Sequence, residues 1–197
     1  MSRVRVTICG LTPGLMMDPM TREKIEEIRG NVRKPKAMDQ SLEQEAESKI
    51  YRDKDGQAGI PSSNLFTCLK EAGRKVKYEG RSSITNSKGE TLLPTILFIE
   101  EYFLPFISHG DWTVDIRPGR NEKGQAIPIV RPLFEKWELA FTLSIDDSEA
   151  TGELVRKLVG AAGKNAGLCA FRPNKGGPFG RFTVTEWEEL QEELVAS

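Results

Sequence analysis

Apolar and polar residues alternate from Arg3 to Cys9. Val4, Val6 and Ile8 fall on one side, Arg3, Arg5 and Thr7 on the other. A period of two predicts a half-buried strand, closed by Gly10, Pro13 and Gly14. The cleanest strand lies at 136–146, where Trp137, Leu139, Phe141, Leu143 and Ile145 share a face. Near residue 65 the period becomes helical: Leu65, Phe66, Cys68, Leu69 and Ala72 form a stripe, with Ser62, Ser63 and Asn64 as N-caps and Gly73 as a stop. A second amphipathic helix is predicted over 148–164, with Leu154, Val155, Leu158, Val159 and Ala162 inward. Asp146, Asp147 and Glu149 cap it, because carboxylates suit a helix N-terminus.

The remaining segments read less cleanly. "TILFIEEYFLPF" (95–106) predicts one strand, ended by Pro105. Residues 112–134 predict two extended arms, and Pro128 and Pro132 make them a projecting hairpin. "RFTVTEW" predicts a last strand with Phe182 and Val184 inward. Asp55-Gly56 marks a tight turn, and 79–94 reads as loop. Residues 20–48 carry no wide apolar face and read as a polar insertion packed loosely on the rest. Without the insertion and the arms, the order is β-α-β-β-α-β in one domain, 1–197. That predicts an α+β, ferredoxin-like (RRM-like) fold: two helices on one face of an antiparallel sheet, the other face left open.

Charge sharpens this picture locally. The chain of 197 residues has a net charge of only −1, so no global field draws it to a polyanion or a membrane. Yet Arg156, Lys157, Lys164, Arg172, Lys175 and Arg181 occupy a span that holds no Asp or Glu. Gly163, Gly167, Gly176, Gly177 and Gly180 fall in the same span, where glycine lets backbone amides approach an anion. Phe171 and Phe179 could stack on bases. The expectation is that these cations converge on one strand of nucleic acid across the open sheet face. The competing reading is a tight helix–strand turn with Phe171 or Phe179 plugging the core. The loop matches neither GxxxxGK[ST] nor GxGxxG, which argues against a nucleotide-phosphate loop.

Other chemistry is sparse. One His and three scattered Cys give no zinc-ligand spacing, no disulfide framework and no evident cofactor. The thiols read as reduced and the protein as cytoplasmic; no apolar run is long enough to cross a membrane, and the start lacks a signal peptide's apolar stretch. His109 in "SHGDW" reads as an exposed turn residue beside Asp111. Arg29, Arg33, Lys34 and Lys36 form a second cationic group within the insertion.

The helix, the glycine- and arginine-rich loop and the final strand resemble the signature loop of the RAMP superfamily, the RNA-binding proteins of CRISPR systems. "DKDGQAGIPSSNLFTCLKEAGR" resembles the segment that opens the first helix of their backbone subunits. Ile60, Pro61, Ser62, Ser63 and Leu65 fit; Thr67 stands where the family often has Gly, and an early basic residue is missing. "VTICGLTPGLMM" resembles their first strand and turn, and the arms fall where these subunits carry a thumb. The resemblance covers most of the chain by element order and less of it by motif. It implies an antiviral-defence role: a non-enzymatic, RNA-favoured single-strand-binding protein, lining up in copies along a strand such as a guide RNA, beside other effector subunits. The acidic end beside the basic loop suits docking on a neighbouring copy's cationic surface, giving a head-to-tail oligomer. It carries over Gly167, Arg172, Gly176, Gly177, Gly180 and Arg181 as loop positions, and Ser62, Ser63 and Lys70 as positions near the RNA. Some such subunits cleave RNA with an Asp after the first strand, where Asp18 stands; an Asp-Pro turn is the favoured reading here. The alternatives are a phage single-stranded DNA-binding protein, or a structural or interaction protein (phage assembly or inhibitor) reusing the fold through its acidic Glu186–Glu193 end.

Overall fold

The computed structural model describes residues 1–19, 25, 26, 29, 30, 41–78, 80, 82–120 and 124–191. Along the chain come β1 (Ser2–Gly10), β2 (Leu15–Met16), α1 (Leu42–Glu47), β3 (Gly59–Pro61) and α2 (Ser62–Ala72). Then follow β4 (Lys77–Tyr78), β5 (Ser82–Ser83), α3 (Leu93–Ile96), β6 (Leu97–Ile99), β7 (Phe103–His109), β8 (Trp112–Arg120) and β9 (Ala126–Phe134). The chain continues with β10 (Trp137–Ile145), α4 (Gly152–Ala161), which runs into a π-helical turn over Ala162–Ala166, and β11 (Phe182–Leu190). The main sheet has the order β11-β1-β10-β7-β3, with β6 also on β10, and its pairings are antiparallel. This is an α+β fold.

The alternation in β1 and β10 does what it predicts. Val4, Val6, Ile8, Leu139, Phe141, Leu143 and Ile145 are buried in one core with Leu65 and Leu69 of α2 and Val155, Leu158 and Val159 of α4. The hairpin is also as expected: β8 and β9 pair from Trp112–Phe134 to Arg120–Ala126, with Pro118 opposite Pro128, where a missing N–H is harmless at an edge.

Four expectations need correction. The strand over 95–106 is two strands: β6 pairs with one end of β10, β7 with the other, and β7 runs straight through Pro105, which sits opposite Gly59. At the break, the Glu101 carboxylate accepts the Thr142 N–H through both oxygens, each at 2.9 Å, in place of a strand carbonyl. The serines do not cap α2; Pro61 is its N-cap, without a side-chain hydrogen bond. Thr151 caps α4 by accepting the Leu154 N–H, while Asp146 caps the preceding turn through Ser148 and Asp147 binds Ser2 and the terminal amine. The insertion is not loose at its described end, since Ala46 of α1 is fully buried. Its cations Arg33, Lys34 and Lys36 lie outside the described residues.

Glu100, next to the break, accepts from Arg3 at 2.7 and 2.6 Å and from the Ser144 hydroxyl at 2.6 Å. These bonds, Arg3 foremost, hold its carboxyl down at about 2 against an ordinary 4.5. A depressed folded value stabilises above the unfolded value and loses that contribution as pH falls through the folded one. Urea midpoints should therefore drop between pH 4.5 and about 2, and Glu100→Gln should flatten that part of the curve. Identical curves for the two proteins would show that the pair contributes nothing.

Candidate nucleic-acid interface

Arg156, Gly160 and Lys164 are spaced four apart, which puts them on one face of the α4 helix and its π-helical continuation. That face meets the start of β11. Together with Leu11, Arg181, Phe182, Thr183 and Val184, these residues line a groove of about 470 Å³. Gly163 brings the walls together: a Cβ there would lie 2.1 Å from the Phe182 carbonyl oxygen, so only glycine permits this approach. The Arg156 guanidinium lies 5.8 Å from the Trp187 ring centroid, a cation–π contact. None of Arg156, Lys164 and Arg181 has an ion-pair partner among the described residues. Three like charges in one cleft, with no carboxylate in its lining, repel one another until an anion enters.

The six cations do not converge across the open sheet face, as expected from sequence. That face carries Arg3 and Arg5 opposite Ser144 and Thr142 of β10, and Arg5, Thr7 and Cys9 opposite Glu188, Glu186 and Thr183 of β11. Arg3 pairs with Glu100, Arg5 with Glu101, and the Thr7 hydroxyl donates to Glu186. Glu138, opposite Cys9, adds another acid. Carboxylates outnumber arginines there, so a polyanion is repelled.

The glycine-rich loop is a clamp. Leu168 N donates to Gly180 O, Ala170 N to Met16 O, Gly180 N to Gly14 O and Leu11 N to Arg181 O, all within 2.8–2.9 Å. The loop is thus stitched to the turn after β1. Gly167, Gly176 and Gly177 likewise donate their amides to Ala162, Pro173 and Arg172 carbonyls. These four amides are therefore unavailable to an anion, which corrects the sequence expectation. Arg172 turns inward: it donates to Cys169 O, and its charge acts on the Cys68 and Cys169 thiols, which burial pushes up to about 12. Phe179 is 2% exposed, too buried to stack on a base. Its ring lies 5.9 Å from that of Phe171, with Arg117 of β8 over both at 4.8 and 5.6 Å. Phe171 keeps 37% exposure and Lys175 is exposed at the loop tip.

The helix-opening positions are elsewhere. Ser62 and Ser63 line a mostly apolar groove with Phe66, Pro94, Leu97, Phe98 and Ile99. Lys70 lies in the last turn of α2, about 12 Å along the axis from Ser62 at 1.5 Å per residue. Asp18 is ion-paired with Arg131 at 2.8 Å and Lys49 at 3.6 Å. Sequence reading missed Gly160 and Leu11 as groove residues, and Trp187 as the ring against Arg156; the i, i+4, i+8 spacing of Arg156, Gly160 and Lys164 was the available signal for the first.

No family model matches the sequence, and no curated protein does. Among solved structures, the chain is similar to one chain of the "Cryo-EM structure of the Type III-B Cmr-beta bound to cognate target RNA". The TM-score is 0.57 at 13% identity, covering 96% of this chain and 61% of that one. This chain therefore spans about three fifths of the length of its structural neighbour. The likeness is one of fold. No helix among the described residues is long and apolar enough to cross a membrane.

Proposed function

We propose that this chain binds single-stranded nucleic acid, RNA in preference to DNA, without catalysing a reaction. The observation that carries the proposal is the groove holding Arg156, Lys164 and Arg181, three cations without a carboxylate among the lining residues. Phosphates lie along it, and Leu11, Phe182 and Val184 give it an apolar wall. Phe171 and Lys175, both exposed, are further contacts for a base and a phosphate.

The strand order supports a ferredoxin-like reading. With α2 between β1 and β6/β7 in sequence, and α4 between β10 and β11, the order β11-β1-β10-β7 fits a β-α-β-β-α-β core. The neighbour's target RNA favours RNA as the ligand. Several copies then line up along one strand, beside other effector subunits, as the RAMP resemblance implies.

Purification without nuclease tests this. The expected preparation absorbs more strongly at 260 nm than protein alone and yields single-stranded RNA on extraction. A nucleic-acid-free preparation that also fails to retain a labelled single strand at low salt would overturn the reading.

A further inference from the structure

A second cleft lies away from the cationic groove. It has a volume of about 460 Å³, within the range of small-ligand sites. Arg52 and Gln57 line it from the Asp53–Gly56 turn, Phe106 and His109 from β7, and Asp111 and Trp112 from the start of β8.

The walls are held in place. Asp53 Oδ1 accepts the Asp55 and Gln57 amides at 2.9 and 2.8 Å, which fixes the turn that presents Gln57. Arg52 Nη1 donates to Gly56 O at 3.0 Å across the same turn. The His109 ring packs against Phe106 and Phe134, with centroids 5.5 and 5.6 Å away. Its Nδ1 donates to Gly110 O at 2.9 Å, so in the neutral ring Nε2 is left as an acceptor.

We infer that this cleft is a guanine-selective base pocket. Asp111 is exposed, and among the described residues its carboxylate has no hydrogen-bond or ion-pair partner. Two carboxylate oxygens match two adjacent donors on one base edge. Guanine offers that pair in N1–H and its 2-amino group. Adenine N1 and cytosine N3 instead set a lone pair against the carboxylate, and uracil has one donor only. Gln57 can donate to guanine O6. Trp112 and Phe106 provide aromatic surface for the base, and Arg52 at the rim can meet its phosphate. The inference rests on the single-strand-binding reading and adds base selectivity to it.

The test uses the full chain and mononucleotides, followed by tryptophan fluorescence quenching. GMP should bind about tenfold or more tightly than AMP, the discrimination expected of a bidentate pair. Asp111→Asn should erase that difference while leaving the affinity for oligo(U) unchanged, because the oligo(U) contacts lie in the groove. Gln57→Ala should weaken GMP alone. Equal binding of GMP and AMP, or a guanine preference that survives Asp111→Asn, overturns the inference. Loss of oligo(U) binding in the unaltered protein, with the GMP preference intact, sinks the groove and supports the pocket.

Discussion

Changing Arg156, Lys164 and Arg181 together to Glu should lower affinity for a single-stranded RNA about 100-fold or more at low salt. Each charged contact removed is worth about 1.5 kcal/mol or more, and three reversals also add repulsion. The fold should survive. All three side chains are exposed and none has an ion-pair partner among the described residues; surface changes of this kind shift stability by about 0.5 kcal/mol each. Arg156 carries slightly more because of Trp187, about 0.5–1 kcal/mol. Fluorescence anisotropy with a labelled oligonucleotide reads the affinity, and circular dichroism checks the fold. Arg172→Gln is the control. This cation belongs to the same sequence cluster but bonds inward to Cys169 O, so its loss should reduce stability and leave RNA affinity unchanged. A drop in affinity for Arg172→Gln equal to that of the groove variant would show that the groove is misplaced.

Gly180→Ala should be among the most destabilising single changes. Gly180 has φ of +72°, and a Cβ there would stand 2.0 Å from Leu168 O. Both causes act on backbone rather than on a side chain that can swing away. The bonds Gly180 N to Gly14 O and Leu168 N to Gly180 O must lengthen or break, and they hold the loop to the turn after β1. Strained φ alone costs about 1–3 kcal/mol, and the clash adds to it. A loss of about 3 kcal/mol lowers Tm by about 6–12 °C in a chain of this size. Differential scanning calorimetry reads it. An unchanged Tm would mean that the clamp geometry is wrong, and with it the position of Arg181 at the head of β11.

The contrast between these two predictions reflects what a sequence can convey. Val4, Val6 and Ile8 alternate because one sheet face is buried, and the Leu154 to Ala162 stripe recurs because one helix face is. Periods of 2 and 3.6 survive in one dimension, so the core elements were legible. Direction does not survive. The cations from Arg156 to Arg181 form one cluster along the chain, but Arg172 points to the thiols while Arg156, Lys164 and Arg181 face the groove. Hydrogen bonding at the loop is hidden for the same reason: its glycines look like free amides until their carbonyl partners are known. The break at Glu100–Tyr102 was masked by strong β-propensity on either side. Its signature is two adjacent glutamates that satisfy β10 with side chains, which no propensity scale records. Trp187 looked like the end of a strand, but β11 runs on to Leu190 and the Trp187 ring lies against Arg156.

The most direct test of the groove is the salt dependence of binding. Each phosphate neutralised on a single strand contributes a slope of about −0.7 to log K against log salt. The three groove cations contribute about −2 to the slope of the unaltered protein, and the charge-reversed variant should lose that share. Affinity that stays level from low to high salt, or a slope that the variant shares, would contradict the claim that Arg156, Lys164 and Arg181 hold the strand.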